Sequence, residues 1–254
     1  MKLFFDINTH ILPFVEDGAE SFQMTKELLE VAVANNTHYI IASPHRKHVN
    51  RKTSIHEIKS SYITVKRYME EVGIPIKLYL GNEIEYDSAT LDKLKSGELL
   101  TLANTTYVLV SFYKSVEYSY IKRAVHTLVR EGYHPIIAHV EQYTSLQNID
   151  DIFILKEMGA YFQLDESSLH GGFWCKNRKH AKELLKYRLV DFIVSNSHII
   201  HKNSTNISKH RDWIEKKYGE SYADKIYCDN GLLLLENKEI GLIHFEVKEK
   251  IGLA

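Results

Sequence analysis

The sequence predicts an α/β chain folded as a parallel (β/α) barrel. Three observations carry this expectation. Short apolar runs rich in β-branched and aromatic residues recur along the chain, and each is followed by a stretch with helical periodicity. Most of the runs are continuously apolar rather than alternating, as strands covered on both faces are. Seven such alternations favour a closed parallel sheet over an open two-layer one. A length of 254 residues suits one barrel, and with only four prolines and no low-complexity linker the expected unit is a single domain over residues 1–254.

In chain order, strands are expected at residues 3–8, 38–44, 76–84, 107–112, 135–140, 160–165 and 191–198. Residues 21–35 read as an amphipathic helix, with Phe22, Thr25, Leu28, Leu29 and Ala32 on one face and Glu27 and Glu30 elsewhere. Residues 117–132 and 176–189 read likewise, and Gly132 stands where a helix stop belongs. Residues 204–219 are expected to be helical with Trp213 on the buried side. Residues 227–254 form a C-terminal extension expected either to pack under the barrel or to extend it.

Composition narrows the function classes. A net charge of -1, with charges mixed along the chain, gives no electrostatic reason to expect nucleic acid or an acidic membrane as partner. Two cysteines, Cys175 and Cys228, are too few for a disulfide framework or a thiolate metal site. The apolar run Leu3-Phe4-Phe5 is too short for a signal peptide, and no stretch is long enough to span a bilayer, so cytoplasm is the expected location. The 14 histidines and 16 tyrosines matter only where they gather.

In a parallel barrel the reactive groups sit at the carboxyl ends of the strands, where the following loops converge. The first strand runs into Asn8-Thr9-His10, and its loop carries Glu16-Asp17-Gly18. The second ends in Ser43-Pro44-His45-Arg46, the third in Gly81-Asn82-Glu83, the fourth in Ser111. The fifth ends in Ala138-His139-Val140-Glu141 and the seventh in Ser195-Asn196-Ser197-His198. A single histidine at such a place is more often a packing residue. Five strand ends delivering histidine or carboxylate to one rim point instead to a metal or phosphate site. Imidazole mixed with carboxylate and no thiolate suits Mn, Fe or Zn. His38, His56, His126 and His180 read as surface or packing residues, while Tyr86, Tyr113 and Tyr143 are candidates to line the cleft.

These motifs resemble a known family. Asp6-Ile7-Asn8-Thr9-His10-Ile11-Leu12-Pro13, followed by Glu16-Asp17-Gly18, is similar to the opening of the PHP (polymerase and histidinol phosphatase) superfamily. More narrowly it resembles the metal-dependent protein tyrosine phosphatases of bacterial capsule and exopolysaccharide loci. Ser43-Pro44-His45-Arg46, Gly81-Asn82-Glu83-Ile84, Ile137-Ala138-His139-Val140-Glu141-Gln142-Tyr143, Ser195-Asn196-Ser197-His198 and Cys228-Asp229-Asn230 match its later motifs in order. The resemblance implies a distorted seven-stranded, TIM-like barrel of the PHP fold, with up to three metal ions, usually manganese. It also implies hydrolysis of phosphotyrosine on the kinase that controls polysaccharide assembly.

Carried over position by position, the resemblance makes His10, Asp17, His45, Glu83, His139 and His198 metal ligands. Arg46, next to His45, reads as the catalytic-site residue that grips a phosphate oxygen, since guanidinium matches that geometry, or equally as a solvated rim arginine. Asn8, Ser111 and Asn196 stand where the family has a histidine, a carboxylate and an aspartate, and Gln142 replaces an arginine. Replacing two carboxylates in a buried cluster leaves cation charge uncompensated, at a cost of about several kcal/mol for each charge. One or two ions are therefore expected rather than three, with Asp17, His45 and His198 as the complete set. Two further readings stand beside the phosphatase. One is a non-catalytic regulatory protein that binds phosphotyrosine; the other is a hydrolase of a small phosphate ester.

Overall fold

A computed structural model describes residues 2–46, 53–169, 176–195 and 207–241. The first half runs β1 (Phe4–Thr9), α1 (Phe22–Ala34), β2 (Thr37–Ala42), β3 (His45–Arg46), α2 (Ile55–Val72), β4 (Lys77–Leu80), β5 (Glu83–Glu85) and α3 (Thr90–Ser96). The second continues with β6 (Tyr107–Ser111), α4 (Tyr118–Arg130), β7 (His134–Ile137), α5 (Ile149–Glu157), β8 (Tyr161–Asp165), α6 (Lys176–Lys186) and β9 (Phe192–Val194). Three helices, α7 (Ile207–Tyr218), α8 (Glu220–Asp224) and α9 (Asn230–Leu235), follow, with a π-turn at Lys225–Asp229 between the last two.

Every ladder between these strands is parallel, as expected of an α/β chain of repeated strand–helix units. The ladders form two sheets, β1-β2-β4 and β3-β5-β6-β7-β8-β9. The expected second and third strands are each broken in two, and those breaks separate the sheets. Pro44 lacks an N–H for the ladder at the first break. At the second, a Cβ on Gly81 would lie 2.7 Å from Leu102 Cδ2 and 3.1 Å from its Cα, so only glycine passes there. Asn82 bridges the gap, donating to Pro44 O at 3.2 Å and accepting from Leu100 N at 2.9 Å. β9 lies against β1. Just past β9, Ser195 N donates to Asp6 Oδ2 of β1 at 3.2 Å.

Alternation along the strands sorts the core. Phe5, Ile7, Tyr107, Leu109, Ile136, Ala138, Phe192 and Val194 form one cluster between the sheets. Val108, Val110, Ile137, Phe162, Leu164 and Ile193 face the other way, onto Ile121, Val125 and Leu128 of α4 and onto α5 and α6. Each fully buried aliphatic side chain contributes about 1.5–3 kcal/mol. Residues 53–72, to which the sequence reading gave no element, include α2. Ser54 and Glu57 close a reciprocal cap at its start, and Gly73 ends it at φ 71°.

The C-terminal extension packs beneath the sheets as far as it is described, and residues 242–254 lie outside the described set. Leu234 and Ile240 join the inner cluster. Tyr107 donates to Lys238 O at 2.7 Å and accepts from Ile240 N at 3.2 Å, while Tyr161 donates to Ile240 O at 3.3 Å. Gly231 faces the Phe5 ring so closely that a Cβ would stand 2.4 Å from Cδ1. In the Cys228-Asp229-Asn230 segment, Asn230 donates to Asp191 O at 2.9 Å, a structural tie between α9 and the start of β9.

Candidate metal centre

The first strand delivers two polar groups because its register slips. The β1-β2 pairing shifts between Asp6 and Thr9. Ile7 belongs to the inner apolar cluster, yet the next residue, Asn8, also turns inward. Two successive side chains on one face require such an irregularity. Asn8 is fully buried and His10 is 1% exposed. The loop that follows is clasped on itself, with Phe14 N donating to Ala19 O and Ala19 N to Leu12 O, both at 3.0 Å. A Cβ on Gly18 would fall 2.1 Å from Leu12 O. Phe14 and Glu16 adopt left-handed backbone at φ 62° and 39°. That strained loop holds out Asp17.

Asp17 meets two histidines. Its Oδ1 lies 3.3 Å from His10 Nδ1, and its Oδ2 pairs with His45 Nδ1. The rings of His10 and His45 stand 4.8 Å apart between centroids. One ligand atom from each of His10, Asp17 and His45 can be chosen so that all lie within 4.8 Å of one another. The other nitrogen of His45, Nε2, is 2.7 Å from Glu83 Oε1. Glu83 is 1% exposed. It also takes Asn8 Nδ2 at 2.7 Å and sits 3.3 Å from His139 Nε2, both at Oε2.

His139 stands just past β7 in left-handed backbone, φ 52° and ψ 43°. Its Nδ1 faces Gln163 Nε2 at 3.5 Å and Asp165 Oδ2 at 3.9 Å, both from β8. Asn8 also donates to Gln163 Oε1 at 3.2 Å and accepts from Ser43 Oγ at 2.7 Å. Glu141, two residues on, is fully buried, and Ser168 donates to its Oε1 at 2.7 Å.

The electrostatics follow from burial and pairing. Burial would lower the His45 and His139 imidazoles, but Asp17 and Glu83 around the first, and Glu83 beside the second, outweigh it. They are raised to about 10 and about 9. Burial alone would raise Glu83, yet those histidines hold it well below the usual carboxylate range. Asp17 is likewise held low by hydrogen bonds from His10 and His45 against its own burial. Burial pushes Asp6 and Glu141 up to about 7. The carboxylates thus draw positive charge into a buried hollow. A divalent ion among imidazole and carboxylate donors answers the same demand.

Of the residues picked out by sequence, His10, Asp17, His45, Glu83 and His139 form one connected group, with Asn8 joined to it. Ser111 ends β6 and pairs in register with Glu85. Asn196 and His198 lie outside the described residues. Arg46 donates to Thr53 O and lies 3.9 Å from Glu16, stapling the clasped loop to the start of α2. Glu16 is spent on Thr53, accepting from its N at 3.2 Å. Gln163 and Asp165 were not among the site residues expected from the sequence. The strand-end rule flags Asp165 as directly as the others, because it closes the sixth expected strand.

Comparison with known proteins gives a consistent picture. Residues 4–236 match the family described as capsular polysaccharide synthesis, CpsB/CapC. CapC of Staphylococcus aureus is 32% identical over 237 residues, covering 92% of each chain. The tyrosine-protein phosphatase CpsB of Streptococcus pneumoniae is 28% identical over 231 residues, 89% of this chain and 95% of that protein. A crystal structure from the pair YwqE of Bacillus subtilis and CpsB of S. pneumoniae, described as metal-dependent tyrosine phosphatases, superposes with a TM-score of 0.85. It is 26% identical and covers 94% of this chain and 96% of that one. A histidinol phosphate phosphatase from Lactococcus lactis shares the fold at 15% identity and a TM-score of 0.53, covering 85% and 93%.

Proposed function

The chain belongs to the capsular polysaccharide synthesis CpsB/CapC family, and from that premise we propose that it is a metal-dependent phosphatase of phosphotyrosyl proteins. The observation that carries this reading is the meeting of His10, Asp17 and His45 beside Glu83 and His139. The two sheets are taken together as one distorted seven-stranded barrel, a single domain whose carboxyl rim holds this group. The substrate is a tyrosine-phosphorylated protein, the kinase of a polysaccharide locus being the one the family suggests, and the reaction belongs in the cytoplasm.

The donor set fits a divalent ion, with manganese first and iron or zinc satisfied by the same ligand types. His10, Asp17 and His45 would hold one ion, joined by His198 if the family pattern applies, and Glu83 with His139 would serve a second. One or two ions are proposed, not three. An ion held there would supply a water of lowered pKa and would neutralise phosphate charge. The chain's own part is positional. Asp17 lies against both His10 and His45, so the three donors would converge on one ion. Asp165 and Gln163 face His139 Nδ1 and turn its Nε2 towards Glu83. Glu83 spans His45 and His139 with its two oxygens, linking the two halves of the site. A phenolate leaves more readily than an alkoxide, which lessens the need for a strong protein acid.

A second reading is favoured by one contact. Asn8 donates to the same Glu83 oxygen that faces His139, so an amide occupies that carboxylate. This supports a protein that grips phosphotyrosine without cleaving it. Turnover of a phosphotyrosyl peptide with added Mn, set against the same protein in EDTA, separates the two. Metal-dependent release of phosphate supports the enzyme; saturable binding with no release supports the second.

A further inference from the structure

A cleft of about 510 Å³ opens at the rim beside the proposed centre. Its walls come from the segments after β5 and β6 and from the start of α4. Tyr86, Phe112, Tyr113 and Tyr120 supply the aromatic surface, with Glu85 and Glu117 at the edge. Tyr86 and Phe112 lie 5.8 Å apart between ring centroids, and Phe112 meets Tyr120 edge-on at 6.2 Å. Tyr113 is 67% exposed. Tyr143, the third tyrosine considered for this rim, is buried beneath, accepting from Phe112 N at 3.0 Å.

Position and charge say what the cleft would take. Glu85 follows Glu83 by two residues on β5, on the same side of the strand and about 7 Å further along it. The cleft therefore begins where a polypeptide would emerge from a phosphotyrosine seated at Glu83. Of the other charged residues lining it, Asp87 is met by Lys93 at 3.8 Å, and Arg123 lies over the Tyr120 ring at 5.9 Å. Among the described residues no cation stands within 4.0 Å of Glu85 or Glu117. Glu85 bonds with the Tyr113 hydroxyl, and Glu117 accepts from Ser119 Oγ at 3.5 Å. Aromatic faces bordered by unneutralised carboxylates suit a cationic side chain, which needs both.

We infer that this cleft is a specificity subsite for a lysine or arginine of the substrate polypeptide within three residues of the phosphotyrosine. The inference deepens the phosphotyrosyl-protein reading and rests on it. The aromatic walls would also receive an aromatic residue, but the carboxylates would then stay uncompensated.

The test uses phosphotyrosyl peptides carrying lysine, alanine, phenylalanine or glutamate at each position out to three residues on either side. Binding to the full chain is read by calorimetry, and turnover in parallel. Lysine at one of the outer positions should tighten binding about five- to tenfold over alanine, with glutamate weaker than either. In Glu85→Gln/Glu117→Gln that preference should vanish, while hydrolysis of a small aryl phosphate stays unchanged. Equal binding of lysine, alanine and glutamate peptides overturns the subsite, as does preference for phenylalanine or a lysine preference that survives the double substitution. If lysine peptides bind selectively and none is turned over, the subsite stands and the phosphatase reading falls.

Discussion

Asn8 Nδ2 lies 2.7 Å from Glu83 Oε2 and also reaches Gln163 Oε1 at 3.2 Å, placing a neutral amide between two strands that start far apart in the chain. The first motif resembles one in which an imidazole is expected at this position. An amide nitrogen offers hydrogens where that imidazole offers a lone pair, so the same pocket closes by hydrogen bonding. Much of the chain's expected behaviour follows from this exchange.

Metal content should reflect it. Elemental analysis of protein purified with Mn should give one or two ions per chain; three tightly held ions would refute the assignment. Asp17→Asn should reduce that content sharply, because it weakens the carboxylate that both His10 and His45 meet. Apparent metal affinity should also rise with pH. His45, raised to about 10 by its carboxylate neighbours against its burial, must release its proton to bind the ion.

Asn8→His should restore the missing ligand. The expected result is at least one further ion and a rise in kcat/KM of about tenfold or more on a phosphotyrosyl peptide. Adding Asn196→Asp should raise it again. A fall in both metal content and rate would mean that the Gln163 contact, not the lost histidine, governs this position.

Asp6 supplies a stability experiment. Burial raises its carboxyl from 3.8 to about 7 in the folded protein. Between about pH 4 and 7 the folded state keeps a proton that the unfolded chain has lost, so this group's stabilising contribution falls as pH rises. The stability difference between wild type and Asp6→Asn, measured by urea unfolding in chelator, should shift against wild type by up to about 4 kcal/mol across that window. A difference that is flat with pH, or that moves in wild type's favour, would contradict this.

Lys156 of α5 and Asp191 form a buried pair, their side chains 9% and 3% exposed. Asp191 also accepts from Phe162 N at 2.8 Å, pinning β8 to the approach to β9. Lys156→Met should cost about 3–5 kcal/mol by stranding that carboxylate, and Lys156→Met/Asp191→Asn should recover part of it. Thermal unfolding of the two variants checks this.

The strand–helix alternation was legible because continuous apolar runs such as residues 107–112 and 135–140 differ plainly from amphipathic stretches such as 117–132. Ligand candidates were legible because most of the expected strands run into titratable side chains. The break at Gly81 was not, since it depends on Leu102, from the turn before β6, packing against that backbone. Nor was the inward turn of Asn8, which a register slip produces without any local mark. Gln163 escaped because an amide inside an apolar strand reads as an interruption until its partners, Asn8 and His139, are in place.

The close fit of Gly231 under Phe5 has a consequence for how the molecule is made. Arg211 likewise donates to Leu3 O at 2.6 Å, across 208 positions. The opening strand therefore leaves the ribosome long before its supporting partners exist. Contacts of such long sequence separation slow folding, because loop closure must come first. During that interval β1 has β2 to pair with but lacks the C-terminal residues that later cover Phe5 and Leu3, so that apolar face stays open to solvent or to a chaperone.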